Sequence, residues 1–248
     1  MIVLKSPQEI GRMKVPCIMV AEVLELLKPL VRPGVSTLVL NEFAENEAIR
    51  RGAKPAFKGY SGYPYSLCCT VNDQVVHGMP NNKHLQDGDI LSLDFGVFFD
   101  GFYGDAAVTL PVGEISAKAK SLIKATEESL YAAINVATPA NRLSDISCAV
   151  QTYIEARGFS VVRDFVVHGI GKNLHESPQV PNYGLPGRGV KLKPGMVLAI
   201  EPMINEKGHA VRILGDGWTA VTEDGGLSAH FEHTVAITEH GPEILTKL

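Results

Sequence analysis

Apolar positions recur along the chain with two different periods. Ile10, Met13, Val20, Leu24 and Leu27 keep a roughly helical spacing, and Ser6-Pro7-Gln8-Glu9 precedes them as a capping-box pattern with proline at the first helical position. Pro16 falls inside this run and is expected to kink the helix or break it into two pieces. Further helices are predicted from about residue 37 to 51, ending at Gly52, in the stretch after Ser116, and from about residue 144 to 157, ending at Gly158. Strand-length apolar runs lie at residues 66–71 and 90–110, in VVRDFVV before His168, in MVLAIEPMI around Glu201 and in SAHFEHTVAIT around Glu232, with a short one at 218–221. Hairpin runs mixed with helices predict an α/β (α+β) fold with an antiparallel or mixed sheet covered by helices on one face. A faint echo links Pro33…Gly52 to Pro139…Gly158 at an offset of 106 residues, which suggests two similar halves. No linker rich in Pro, Gly or Ser divides them, so residues 1–248 are expected to form one domain.

Acids interrupt the apolar runs. If Asp100-Gly101 makes a two-residue turn, Asp94 opposes Ala107 and Asp105 opposes Gly96, which puts both aspartates on one face as diagonal neighbours. Two carboxylates that close in a poorly solvated site repel, so one takes up a proton or a cation sits between them. Glu201 and Glu232 repeat the pattern, each an acid within an apolar run. Buried acids are rare unless paired or bound to metal. His168 and His77 follow apolar runs and precede glycine, and His175 lies a little further on. Four carboxylates with an imidazole make a hard donor set suited to manganese, iron, cobalt or zinc, and two ions would balance the charge better than one. HGIGKNLH has neither P-loop nor Rossmann spacing.

Composition narrows the remaining classes. Hydrophobic residues make up 45% and charged residues 20% of 248, with a formal net charge of -4. That balance, without a basic stripe, argues against a dedicated nucleic-acid binder. No run reaches the roughly 20 apolar residues of a membrane span, and no signal-peptide core is present. The four cysteines show no CxxC spacing, which fits reduced thiols in a cytoplasmic protein.

DGDILSLDFGVFFDGFYGDAAVT, HGIGKNLHESPQV, LAIEPMI and LSAHFEHTVAIT resemble, in order and spacing, the type I methionine aminopeptidases, and the resemblance covers nearly the whole chain. It implies the pita-bread fold, with two pseudo-symmetric halves. It also implies a dinuclear metal site of Asp94, Asp105, His168, Glu201 and Glu232, with Asp105 and Glu232 bridging two divalent ions (Co, Mn, Fe or Zn). A metal-bridging hydroxide would attack the first peptide bond with Glu201 as proton shuttle. His175 would stabilise the oxyanion and His77 would hydrogen-bond the scissile amide nitrogen. Tyr60, Tyr63, Cys68 and Trp218 would line the methionine pocket, with His77 at its rim.

The implied substrate is a nascent polypeptide with N-terminal methionine and a small second residue, met by a monomer in transient contact with the ribosome. The chain looks like the compact bacterial form. It departs from the family pattern at Phe57, often cysteine, at Leu174, often phenylalanine, at Ser92, asparagine in some members, and at Pro16. The rival readings are an Xaa-Pro aminopeptidase or prolidase on the same fold, and a non-catalytic peptide-binding module.

Overall fold

The computed structural model describes residues 1–248. Four helices form where the periodicity places them: α1 Pro7–Leu27, α2 Thr37–Arg50, α3 Ala117–Val136 and α4 Leu143–Glu155. At the start of α1, the Ser6 hydroxyl accepts from Glu9 N while the Glu9 carboxylate accepts from Ser6 N, so the capping box closes in both directions. At the start of α3 the Ser116 hydroxyl accepts from Ala119 N, a cap in one direction only.

Pro16 does not break α1, which runs unbroken through it. Proline removes one backbone hydrogen bond, but the surrounding packing outweighs that loss. Met13, Cys17, Val20 and Leu27 are fully buried on either side. The helix backbone at Pro16–Cys17 presses against the sheet where the strand residue is Gly104, and a Cβ there would stand 2.7 Å from Cys17 N.

The main sheet has nine strands: β1 Lys54–Pro55, β2 Leu67–Val71, β3 Ile90–Phe99, β4 Phe102–Pro111, β5 Val166–Gly169, β6 Glu176–Pro181, β7 Val197–Ile200, β8 Glu232–Thr238 and β9 Gly241–Ile244. Their order is β1-β3-β4-β8-β7-β5-β6, with β2 also on β3 and β9 also on β8. Every pairing in it is antiparallel. Two three-stranded sheets accompany it. One joins Ser160–Val161, Met203–Asn205 and Ser228–His230, and the other joins Gln74–Val76, Val211–Ile213 and Ala220–Thr222.

The β3–β4 hairpin has the register that the Asp-Gly turn predicts. Asp94 pairs with Ala107, Gly96 with Asp105 and Phe99 with Phe102. Both turn residues, Asp100 (φ 47°) and Gly101 (φ 83°), are left-handed, as a tight hairpin turn requires.

Three of the predicted strands are each split. VVRDFVV divides into Ser160–Val161 and Val166–Gly169, MVLAIEPMI divides at Glu201–Pro202, and SAHFEHTVAIT divides at Phe231. Glu201 therefore stands at a strand end rather than inside one, and Glu232 opens β8. Pro202 has no N–H for the ladder, so the chain leaves the main sheet there. The short run at 218–221 begins later than expected, because the Asp216 carboxylate accepts from Trp218 N and Thr219 N and holds them in a turn.

The echo has a structural basis, its offset growing from 106 residues at Val35 and Asn141 to 107 from Leu85 and Leu192 onward. Before α2, Leu85 N donates to Val35 O (2.8 Å); before α4, Leu192 N donates to Asn141 O (3.0 Å). Leu85-Gln86-Asp87-Gly88-Asp89-Ile90 matches Leu192-Lys193-Pro194-Gly195-Met196-Val197, with Gly88 and Gly195 both left-handed. Asp94 and Glu201 stand at the same distance after these leucines. Each half has its own core. Leu91, Leu93, Phe95 and Val97 pack with α1 and α2, while Leu198, Ile200, Val235 and Ile237 pack with α3 and α4. Asp94 and Glu201, one residue out of phase, are left for the face away from the helices.

Candidate metal centre and substrate cavity

On that face lies a cavity of about 750 Å³. It is lined by Asp94, Asp105, His168, Glu201 and Glu232, by His77 and His175, and by Tyr60, Tyr63, Cys68 and Trp218. All the residues singled out from the sequence thus converge on one space.

Sheet register explains the acids. Asp94 and Glu232 both pair with Ala107, one from each side, so they occupy one row across β3, β4 and β8. Asp105 sits one pleat along, on the same face. Its backbone is fixed by Thr234, whose hydroxyl donates to Asp105 O (2.8 Å). His168 enters from β5, paired with Ala199 on β7. Donor atoms of Asp105, His168 and Glu232 all lie within 4.8 Å of one another. His168 Nε2 is 3.5 Å from Glu201 Oε1, and its Nδ1 is 2.9 Å from Gly169 O. An Nδ1–H held by that carbonyl leaves the Nε2 lone pair facing the acids, the arrangement of a metal-ligating histidine.

The carboxylates are crowded and poorly solvated. Burial pushes Asp94 up to about 7, with the charge of Glu201 adding to it and His230 opposing. Asp105 and Glu232 are driven well above the usual carboxylate range, by burial first and then by their acidic neighbours; burial does the same to Glu201. Burial also lowers His168 to about 3 and His77 to about 4, so both imidazoles are neutral near pH 7.

Asp94 Oδ1, Asp105 Oδ1 and Glu232 Oε1 are buried without a hydrogen-bond partner. Buried polar atoms are seldom left so. Orphaned carboxylate oxygens facing a neutral imidazole nitrogen fit divalent cations, which would satisfy the oxygens and cancel the repulsion together.

A stability prediction follows from these shifts. A carboxyl group whose pKa is raised in the folded state stabilises the fold while protonated, and that contribution is lost as pH rises through the raised value. Above about pH 6.5 the buried histidines are neutral in both the folded and unfolded states, so between there and pH 8 metal-stripped protein is expected to lose stability, through the value near 7 reached by Asp94. Divalent ions are expected to restore it at the upper end. Thermal unfolding across that range checks this, and a melting temperature that climbs with pH in the stripped protein would contradict it.

Beside the acids the cavity becomes aromatic. Trp218 meets the Tyr63 ring edge-on at 5.2 Å between centroids, and His77 packs edge-on against Phe165 at 5.5 Å. The Tyr63 hydroxyl donates to Gly78 O (2.9 Å), so Tyr63 offers the cavity its ring and not a free hydroxyl. His77 itself is left-handed (φ 58°), an uncommon conformation for a non-glycine residue that the surrounding structure must hold. The His175 ring lies 4.4 Å from that of His168, and its Nδ1 is 2.8 Å from the Tyr60 hydroxyl. The next residue, Glu176, makes a buried 2.7 Å ion pair with Lys5, which ties this loop to the start of the chain.

Sequence reasoning passed over His230. It is buried, its Nε2 has no hydrogen-bond partner, and it lies 3.6 Å from Glu201 Oε2, so Glu201 is flanked by two imidazoles. The signal was its place two residues before Glu232. Phe165 and Asp164, also on the cavity wall, lie within a run read as continuous strand.

The model of metallopeptidase family M24 matches residues 11–239. The chain belongs to metallopeptidase family M24. A methionine aminopeptidase of Clostridium perfringens is 56% identical to this M24 chain over 246 residues, covering 99% of each. The crystal structure of a methionine aminopeptidase from Thermotoga maritima superimposes with a TM-score of 0.98 at 48% identity, covering both chains in full. A prolidase from Pyrococcus furiosus, at 22% identity and a TM-score of 0.80, covers 99% of this chain and 66% of its own, and shares the fold alone. The M24 chain has the pita-bread fold that its sequence motifs implied. Family membership implies use of divalent metal, and the donor cluster of Asp105, His168 and Glu232 is a fitting place for it.

Proposed function

We propose that this M24 chain acts as one domain, a methionine aminopeptidase that removes N-terminal methionine from nascent polypeptides with a small second residue. The observation that carries this reading is the meeting, in one cavity, of a buried acid–imidazole cluster with an aromatic and thiol-lined pocket. Identity of 56% to a methionine aminopeptidase supports it over the Xaa-Pro alternative.

Asp94, Asp105, His168, Glu201 and Glu232 would hold two divalent ions, drawn from cobalt, manganese, iron or zinc. Ions at such a centre polarise the scissile carbonyl and make hydroxide available near neutral pH. The chain's own groups do the rest. Tyr63, Cys68 and Trp218 receive the methionine side chain, since thioether sulfur packs favourably on aromatic rings. Neutral His175 donates an N–H to the carbonyl oxygen as negative charge gathers there. His77, at the pocket rim, hydrogen-bonds the scissile amide nitrogen. Glu201, between His168 and His230, takes the proton released on attack and returns it to the departing amine.

We place the enzyme in the cytoplasm as a monomer in transient contact with the ribosome. No helix is long and apolar enough to cross a membrane.

The direct test is methionine release from Met-Gly-Met-Met and Met-Ala-Ser by metal-stripped protein after return of manganese, cobalt or iron. Asp94→Asn serves as control and an Ala-Pro peptide runs in parallel. Metal-dependent release that disappears in the control is expected. Cleavage only before proline would move the chain to the prolidase side, and metal binding with no cleavage would favour a binding module. Within this reading, Trp218→Ala is expected to raise KM roughly 10-fold, since lost sulfur–aromatic contact and pocket surface are worth about 1–2 kcal/mol. A KM unchanged for methionyl peptides would remove Trp218 from the pocket.

A further inference from the structure

Tyr60 lines the cavity at a more open place than Tyr63. It is 38% exposed, whereas Tyr63 beside it is buried. The loop that carries it is nonetheless tightly determined. Gly59 (φ 87°), Ser61 (φ 48°) and Gly62 (φ 90°) are all left-handed, including one residue that is not glycine. Gly59 N donates to Tyr63 O (2.7 Å), Tyr60 N to Phe57 O (2.9 Å) and Tyr63 N to Tyr60 O (2.9 Å), which closes a compact turn. Tyr63 anchors the far side of this turn at Gly78, next to His77. So much backbone constraint around an exposed side chain indicates that its orientation matters more than its burial.

That orientation sets the Tyr60 hydroxyl 2.8 Å from His175 Nδ1, with the two rings tilted at 55° and 5.2 Å apart. A neutral imidazole carries a single N–H, and the partner on one nitrogen decides which nitrogen holds it. A hydroxyl that donates to Nδ1 leaves the proton on Nε2; one that accepts from Nδ1–H would leave Nε2 as a bare lone pair. Only the first suits a nitrogen that must donate to a carbonyl oxygen gaining negative charge.

We propose that Tyr60 is a positioning residue whose O–H donates to His175 Nδ1, fixing the Nε2–H tautomer and aiming that N–H at the carbonyl oxygen of the bound substrate. The catalytic half of this inference rests on the role given to His175 above; the tautomer half rests on the hydrogen bond alone. A residue that merely walls the pocket would serve equally well as phenylalanine, whereas a tautomer-setting residue needs its hydroxyl.

The test is Tyr60→Phe, which keeps the ring and deletes one oxygen, with kinetics and long-range nitrogen–proton NMR run on the zinc-loaded enzyme. The His175 signals are assigned by their loss in His175→Gln. Wild-type His175 is expected as the Nε2–H tautomer and Tyr60→Phe as a mixture. The variant's kcat is expected to fall about 10-fold, a part of the 10²–10³ that a lost oxyanion donor costs. Its KM is expected to stay within about 2-fold of wild type, because the interaction operates in the transition state. A wild-type Nδ1–H tautomer overturns the inference without recourse to any variant. An unaltered tautomer in Tyr60→Phe, or an unaltered kcat, also overturns it. Failure of the wild type to release methionine from any peptide would instead strike the proposed function, and the NMR would still decide whether Tyr60 sets the tautomer of His175.

Discussion

Asparagine in place of Asp105 is expected to abolish methionine release while leaving the fold in place. Asp105 is 4% exposed, its Oδ1 has no protein partner, and it stands with His168 and Glu232 in the tightest donor cluster of the cavity. Asparagine has the same shape but no charge, and its backbone would still be held through the Thr234 hydroxyl. The proposed metal centre would lose a ligand central to it. Transition-state stabilisation by such ions is worth several kcal/mol, so activity is expected to fall about 10³-fold or more.

Calorimetric titration of manganese or cobalt should show the loss independently of turnover. The metal-free variant is expected to be at least as stable as the metal-free parent near pH 7, because one of four crowded carboxyl groups has gone. Full activity together with wild-type metal affinity would exclude Asp105 from the centre.

Valine at Gly104 is expected to have the largest effect on stability. A Cβ at this position would meet Cys17 N at 2.7 Å, Pro16 C at 2.8 Å and Cys17 Cα at 2.9 Å. These are backbone atoms of a helix, so no side-chain rotation relieves the clash. Either α1 lifts from β4 or the strand bows toward the cavity and displaces Asp105, the next residue. Overpacking of a filled core costs about 1–3 kcal/mol and occasionally more, and this contact, rigid on both sides, is expected at 3 kcal/mol or above. Chemical denaturation would measure it; a loss under 1 kcal/mol would mean that α1 is not tightly seated on the hairpin.

The two departures that line the cavity, Phe57 and Leu174, acquire a physical sense from the packing. Where the family pattern often has a small and a large residue, this chain has the sizes reversed. Both side chains belong to one buried cluster with Tyr63 and Cys68. The Phe57 ring passes close to Gly96, where even a Cβ would come within 3.0 Å of it. Sequence alone presented these as two unrelated changes. In the fold both belong to one buried cluster and line one cavity, where exchange of bulk is tolerated better than its gain or loss.

Local chemistry determined a great deal by itself. The capping box of α1 involves atoms three residues apart, and the Asp100-Gly101 turn needs only two left-handed residues. The register that puts Asp94 and Asp105 on one face then follows from the period of two. Such features depend on near neighbours, so they can be read before any fold is known. Four acids set within or beside apolar runs likewise demanded a common explanation, because solvation disfavours burying each of them singly.

Longer-range relations were decided only in three dimensions. The close seating of α1 on the sheet at Pro16 and Cys17 depends on Gly104, far away in sequence. Glu201 and Glu232 mark places where the chain leaves one sheet for another, a choice made by strand pairing and Pro202 rather than by hydropathy. His230 gained its place beside Glu201, and the Tyr60 hydroxyl its place on His175, from contacts between segments that no spacing connects. Periodicity reports which way a side chain points from its own strand or helix; what stands opposite it is settled by how the elements pack.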